Sequence, residues 1–455
     1  MSADRCDTTK VEELRAIVVG AGIAGLTAAF RLKQAGAHVT VLEAGQQVGG
    51  RMSTVTENGY RFDIGAAGLS NKYHQMVKLA HDAGVGAEMI PTSDLLAIVR
   101  DGRMHHIRSH APLDAARTKL LSWRGKLAAG KMMFDAHRIG DKLDWYELSR
   151  AAEYDVETVE GYGARRLNDE ALYRLVDPLV RTIYLGNVDD VSIVDLLFAL
   201  RNFFGGSFLN AETGIDFLCR GLARHVDVEF GARVTTVEEV AEGVHITWSD
   251  ARRAEQLVDA DVCVIALSAK QMADVHVGLA PDAKDLVADL TYADLMSVQI
   301  ALQKPPGEPA MTISIPRGEH PDLCTITLDH NKAPGRVPPG RGLLNSYWDP
   351  SWVSRNIELD DAEIGALAVA GVSRILSGIE DDVEFTRVAR FRPGVLLARP
   401  GTYSILGRLH GEYDRRSRIQ LAGDYVGGST TNSALCSGER AAARILEACT
   451  GGILE

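Results

Sequence analysis

The stretch that decides the fold is Arg15-Ala-Ile-Val-Val-Gly20-Ala-Gly22-Ile23-Ala24-Gly25-Leu26, continuing through Ala35-Gly36 to His38-Val-Thr-Val-Leu42-Glu43-Ala44. An apolar run ends in a glycine-rich turn. A segment rich in helix-forming residues follows, and Gly36 suits its C-terminus. A second apolar run closes on an acid. This is a βαβ unit with a GxGxxG turn. Gly20 allows the tight turn, Gly22 lets a pyrophosphate approach the backbone, and Gly25 lets helix and strand pack closely. The free N–H groups at the helix start, where Ile23 and Ala24 lie, favour an anion. Glu43, at about the spacing where such an acid meets a ribose, completes a dinucleotide site.

Further glycine-rich stretches follow. Gly49-Gly50-Arg51 lies just beyond Glu43, and Tyr60-Arg-Phe-Asp63-Ile-Gly65-Ala66-Ala67-Gly68 comes next. Glycines there let backbone lie against a flat ring, and Arg51 offers a charged fork to phosphate. Near the other end, Arg418-Ile-Gln-Leu-Ala-Gly423-Asp424 reads as a strand ending in a carboxylate. Asn432 or Ser433 is expected to cap a helix over 434–448. Between them, Glu212 to His225 reads as helical. Val226 to Thr235, His245 to Trp248 and Asp261 to Ala266 read as strands.

Composition narrows the class. The chain has 455 residues, 44 of them glycine, and a formal charge of −12 from 61 acidic and 49 basic residues. The acidic balance argues against nucleic acid as a partner. Area scaling lets such a chain bury about three quarters of its surface, so a substantial core is available. Cys6, Cys219, Cys263, Cys324, Cys436 and Cys449 are scattered without metal or CxxC spacing, which suits reduced thiols in the cytoplasm. The polar stretch Met1–Lys10 lacks a signal-peptide core, and no uncharged apolar run reaches membrane-spanning length.

Glu43-Ala44 followed by Gly49-Gly50-Arg51-Met52, with Gly423-Asp424 and Ser437-Gly-Glu-Arg-Ala-Ala442, resembles the flavin-containing amine oxidase, protoporphyrinogen oxidase and phytoene desaturase superfamily. The resemblance implies an α/β fold: a discontinuous Rossmann-like FAD-binding domain plus an α+β substrate domain with a mixed sheet and helices. The expected division is 1–90, 205–270 and 395–455 for FAD, and 91–204 and 271–394 for substrate. It also implies that Asp424 meets the ribityl–pyrophosphate region and that the backbone of Val234 holds the adenine. The helix start at Ser433-Ala434 would face the pyrimidine edge of the flavin. Gly427 and Gly428 belong to the loop before it. Asp177-Pro-Leu-Val-Arg-Thr-Ile-Tyr-Leu-Gly186 followed by Ser192 resembles a segment of protoporphyrinogen-oxidase-like proteins.

Helices are expected over 116–133, 169–185 and 360–376, and strands over 296–302, 325–328 and 343–348. By the resemblance, Ser297 stands where amine oxidases carry a lysine water-linked to the flavin. Lys304 is too near the strand end to replace it. Gly394 and Thr430 stand where those enzymes have two facing aromatics, with Tyr403 the nearest aromatic that could substitute. Pro393 stands near the cysteine that binds flavin covalently in some members, so FAD should be non-covalent. Leu344, Ser346, Gly394, Tyr403 and Thr430 are the expected pocket residues. His105, His106 and His110 read as a polar surface patch, not a metal site.

These readings favour an FAD-dependent oxidoreductase that takes a hydride from a small, largely apolar or cyclic substrate to form a C=C or C=N bond. An amine oxidase releasing imine and hydrogen peroxide is the alternative, and a non-catalytic FAD-binding protein is a third reading. O2 is one candidate acceptor and a homodimer one candidate assembly. The residues single out no general base.

Overall fold

The computed structural model describes residues 11–451 except 112, 113, 115, 116, 251, 253 and 414–416. The expectations for Met1–Lys10, Cys6 and Ala116 lie outside the described residues.

The opening βαβ unit forms the middle of a five-stranded parallel sheet ordered Asp227–Phe230, His38–Glu43, Arg15–Val19, Val262–Ile265, Ile419–Leu421. Strand Arg15–Val19 is apolar on both faces because both are covered. Ala16 and Val18 pack under helices Ile23–Gln34 and Thr431–Thr450. Ile17 and Val19 face a second core, shared with Val237 and Ile246 of an antiparallel three-stranded sheet. The run 226–235, read as one strand, is two. Gly231, at φ +73°, turns the chain, so Asp227–Phe230 joins the parallel sheet and Arg233–Val240 the antiparallel one.

A seven-stranded mixed sheet is ordered Val383–Leu396, Tyr292–Leu302, Gly342–Trp348, Leu323–Leu328, Thr312–Ser314, Leu95–Arg100, Arg103–Arg108. Only the Thr312–Ser314 and Leu95–Arg100 pair is parallel. Helices Pro350–Asn356 and Asp361–Ser373 cover one face, where Val298, Ile300, Leu344 and Trp348 pack with Val353, Ile364 and Ala368. The opposite face carries Ser297, Gln299, Asn345 and Tyr347, whose side chains bond toward residues 63–65.

The intervening helices differ from expectation in their bounds. Ser122 caps helix Trp123–Ile139, several residues later than expected. The expected helix 169–185 is interrupted: a π turn, Leu172–Val176, precedes helix Asp177–Tyr184. Pro178 lacks an N–H and cannot continue a regular ladder. Arg181 of that helix is fully buried, and its guanidinium donates to the carbonyls of Ile315, His320, Pro321 and Leu323. It ties the helical layer to the mixed sheet. Asp360 and Glu363 form a reciprocal cap that starts helix Asp361–Ser373.

Candidate functional site

The three glycines of the turn have three separate physical roles. Gly20 sits at φ +99°, and its N–H donates to the Leu42 carbonyl at 2.8 Å. A Cβ on Gly25 would come within 2.0 Å of the Gly20 carbonyl oxygen, so only glycine lets this helix close on the strand. A Cβ on Gly22 would meet nothing within 4 Å. Its reason for being glycine is the open space outside. Helix Ile23–Gln34 starts there with no side-chain cap. Donors, a partial positive charge and room therefore coincide, which fits a pyrophosphate.

Glu43 holds this turn together. Its carboxylate accepts from Ala21 N at 2.8 Å and Gly45 N at 2.7 Å. The Glu43 carbonyl accepts from Ala232 N at 2.9 Å, which brings the strand start near Val234 beside the acid. Ala44 is exposed at the same strand end. Gly49 N donates to the Ala21 carbonyl at 2.8 Å, laying the second glycine pair against the first turn. Gly50, at φ +56°, faces Gly22.

Arg51 is half-buried, with 37% of its side chain accessible. Its Nη1 donates to Asp424 Oδ2 at 2.5 Å and to the Gly394 carbonyl at 2.9 Å. The Asp424 carboxylate holds the guanidinium more firmly protonated than usual. Tyr292 OH donates to the other Asp424 oxygen at 2.9 Å. Gly423, at φ +143°, precedes Asp424, and its N–H donates to Ser437 Oγ at 2.8 Å. The Arg51 carbonyl accepts from Ala66 N, and a Cβ on Gly65 would reach within 2.1 Å of it. Gly65 is thus a packing glycine. Ala66, Ala67 and Gly68 are half-buried, and Gly68 has open space where a Cβ would stand.

The C-terminal helix begins at Thr431, earlier than expected, and its cap is Thr430 rather than Asn432 or Ser433. Thr430 Oγ1 accepts from Ser433 N at 3.1 Å. Asn432 is turned sideways, donating to Gln75 and accepting from Met76 N. Ser433 is buried and Ala434 partly so.

Three pocket expectations are corrected. Leu344 and Ser346 point away from the parallel-sheet unit. Leu344 lies in the helix-covered core, and Ser346 Oγ donates to the Val298 carbonyl while accepting from Trp348 Nε1. Side chains alternate along a strand, so their neighbours Asn345 and Tyr347 take the opposite face. Tyr403 is 1% exposed in a helical core, where its hydroxyl donates to Asp195. A buried phenol and a buried carboxylate satisfy each other there, so Tyr403 substitutes for neither facing aromatic.

Gly394 stays beside the Arg51–Asp424 pair through its carbonyl, whereas the Thr430 side chain is taken up as the helix cap. A Cβ on Gly394 would fall 2.3 Å from Leu295 atoms, which excludes any side chain without rearrangement. Ser297 is buried, and its Oγ donates to the Ile64 carbonyl at 2.6 Å. Lys304 pairs instead with Asp382 at 3.2 Å and is largely exposed. His106 meets Glu308 at 2.8 Å and His110 meets Asp94, consistent with a polar surface.

The sequence reading missed Tyr292, Gln299, Asn345 and Tyr347. Asn345 Nδ2 donates to the Asp63 carbonyl at 2.6 Å, and Tyr347 OH to the Gly65 carbonyl at 3.0 Å. Gln299 bridges Ser297 and Asn345. It also missed a buried ionic cluster in which Asp63 and Asp329 face Lys332 and Arg336. Burial pushes the Asp63 carboxyl up, but Arg336 and Lys332 prevail and hold it below the usual range. Asp63 was in the quoted motif, but its partners lie far along the chain and carry no local signal.

A parallel sheet with an open glycine turn, an acid at its second strand and a carboxylate at a second helix start, roofed by a mixed sheet, defines a dinucleotide-dependent oxidoreductase fold. The profile of the flavin containing amine oxidoreductase family matches residues 23–446, and the chain belongs to that family. Its cofactor is FAD. The coproporphyrinogen III oxidase of Bacillus subtilis is 22% identical over 420 residues, covering 82% of this chain and 85% of that protein. The mitochondrial protoporphyrinogen oxidase of Nicotiana tabacum is 30% identical over 202 residues, 43% of this chain and 38% of that protein's length. Cyclohexylamine oxidase from Brevibacterium oxydans has the same fold, with a TM-score of 0.72 at 17% identity, over 96% of this chain and 99% of that one. No helix among the described residues is long and apolar enough to cross a membrane.

Proposed function

We propose that the protein oxidises a small, largely apolar or cyclic molecule, forming a C=C or C=N bond, as its porphyrinogen-oxidising relatives' names suggest. The observation that carries this reading is the Ser297–Gln299–Asn345–Tyr347 face, where the two strands set hydroxyls and amides, and no lysine of their own, against residues 63–65. Together with a side-chain-free Gly394, it supports the desaturating branch over amine oxidation.

FAD supplies a hydride acceptor when bound. The chain's residues do the rest. Gly20, Gly22, Ile23, Ala24 and Gly25 would receive the pyrophosphate, Glu43 and Ala44 would serve the ribose, and Val234 would serve the adenine. Gly49, Gly50, Arg51, Gly65, Ala66, Ala67 and Gly68 bound the cleft. Gly423, Asp424, Ser433 and Ala434 would hold its far end, where a helix start would favour negative charge on a bound ring. The division into an FAD unit (1–90, 205–270, 395–455) and a substrate unit (91–204, 271–394) belongs to the same proposal, supported by the membership of the two large sheets. So do O2 as acceptor, a homodimer and a cytoplasmic location.

The test is anaerobic titration of the FAD-loaded protein with protoporphyrinogen, coproporphyrinogen and simple amines, read at the flavin absorbance, followed by an oxygen pulse. Bleaching by a porphyrinogen and not by amines is expected. Bleaching by amines alone, with peroxide on oxygenation, would overturn the reading in favour of amine oxidation. An oxidised flavin throughout would point to a non-catalytic role.

A further inference from the structure

Two neighbouring strands of the mixed sheet end on the Arg51–Asp424 pair. Strands Tyr292–Leu302 and Val383–Leu396 run antiparallel, with Tyr292 opposite Leu396 and Ala293 opposite Val395. The register then slips. Leu295 stands opposite Phe391, so Asp294 on one strand faces Arg392, Pro393 and Gly394 on the other. Such a bulge takes backbone groups out of the ladder and re-aims them. The Gly394 carbonyl is one of these, and it accepts from Arg51 Nη1 at 2.9 Å.

Tyr292 reaches the same pair from the other strand, and its hydroxyl is bonded on both sides. Ala269 N, the first residue of helix Ala269–Val275, lies 3.2 Å from the phenol oxygen. That N–H can only donate, so the single phenol proton is left for Asp424 Oδ1, 2.9 Å away. Burial, with the Asp424 charge beside it, pushes the phenol well above its ordinary range, so the proton stays on Tyr292. Asp424 is thus held at both oxygens, by Tyr292 on one and by Arg51 on the other. Arg51 spends Nη1 on Asp424 and Gly394. Its Nε and Nη2 bond to nothing among the described residues, and 37% of the side chain is accessible. A guanidinium with free N–H groups on an open edge suits an anion.

We infer that Tyr292 is a positioning residue for the cofactor: its hydroxyl fixes the Asp424 carboxylate, and the carboxylate sets the direction of the free Arg51 edge. The inference rests on the reading that Arg51 and Asp424 hold FAD. The terminal torsion of an aspartate is broad, so a carboxylate with one partner turns easily and one with two does not. The strand that starts at Tyr292 also carries Ser297, which bonds the Ile64 carbonyl. One strand of the mixed sheet therefore serves Asp424 at its start and residues 63–65 further along. No motif marks Tyr292 in the sequence, because its partners lie at Ala269 and Asp424, on either side of it along the chain.

The experiment compares the full-length wild type with Tyr292→Phe, Asp424→Ala and the double variant. FAD dissociation constants come from flavin fluorescence on the apoproteins, and the midpoint potential of each loaded protein from equilibration with a reference dye. Phenylalanine keeps the ring, so the fold should hold, and circular dichroism of the apoproteins checks it. Tyr292→Phe should weaken FAD binding about tenfold, the lower end of what a hydrogen bond to a charged group is worth. Added to Asp424→Ala it should cost little more, since no carboxylate is left to position. Without its donor the Asp424 carboxylate opposes added negative charge on a bound flavin more strongly, so the potential of Tyr292→Phe should fall. Wild-type affinity in Tyr292→Phe, or an unchanged potential, would overturn the inference. So would an equal loss in both backgrounds, which would make Tyr292 a packing residue. Wild-type affinity in Asp424→Ala would instead overturn the site reading, and this inference with it.

Discussion

Arg51 and Asp424 are 373 positions apart in the chain, yet Nη1 and Oδ2 stand 2.5 Å apart. The same guanidinium reaches Gly394, so one side chain joins three separate parts of the chain. Hydrogen bonds to charged groups contribute about 1.5–3 kcal/mol. Asp424→Ala is therefore expected to weaken FAD binding about 10- to 100-fold, read as the dissociation constant from flavin fluorescence on the apoprotein. Arg51→Lys should recover only part of what Arg51→Ala loses, because an ammonium lacks the planar fork. Wild-type FAD affinity in Asp424→Ala would remove this residue from the site.

The glycine turn makes a contrasting pair of predictions. Gly22→Val places its side chain in open space, so the melting temperature should hold while FAD affinity falls at least tenfold. Gly25→Ala drives a methyl into the Gly20 carbonyl and should lower thermal stability even without cofactor. Calorimetry of both apoproteins separates the two roles, and equal melting losses would refute the assignment.

Neighbouring residues of strand Gly342–Trp348 should behave oppositely. Tyr347→Phe leaves the Gly65 carbonyl without its donor and is expected to alter the flavin spectrum and reduce turnover. Ser346→Ala removes an acceptor from Trp348 and should cost about 1 kcal/mol of stability with the spectrum unchanged. Denaturant melts and visible spectra of the two variants check the face assignment.

The helical core predicts a pH dependence. Burial pushes the Asp195 carboxyl up to about 7 and the Asp155 carboxyl up to about 6. Hydrogen bonds from Tyr403 and Ser192 oppose this without cancelling it. An unfolded aspartate titrates near 4, so between about pH 4 and pH 7 the native chain holds more protons. The stabilising contribution is complete below about pH 4 and is lost as pH rises through the native values. Asp195→Asn keeps an acceptor for Tyr403 and removes one titration. Its melting temperature should therefore fall less than that of wild type between about pH 5 and pH 8. Parallel curves would rule out Asp195 as the source.

Much of the cofactor region was legible because its chemistry is local. A turn, a close approach and an uncapped helix start each demand glycine within a few residues, so Gly20, Gly22 and Gly25 can be read in order. The helix caps were less legible. Thr430, Asn432 and Ser433 are all competent cap residues, and their surroundings decide which one acts. Asn432 is drawn off by Gln75, and Thr430 is left to bond Ser433.

The sequence by itself determined the βαβ unit, the acid at its second strand, the second glycine–carboxylate motif and hence the family. It did so because short-range backbone geometry restricts which residues can stand there. Only the tertiary structure decided which face of Gly342–Trp348 looks toward residues 63–65. Every residue of that strand is buried, so its hydrophobicity carries no inside–outside alternation to read. A one-residue change of parity exchanges Leu344 and Ser346 for Asn345 and Tyr347, and packing against residues 63–65 on one side and two helices on the other sets that parity.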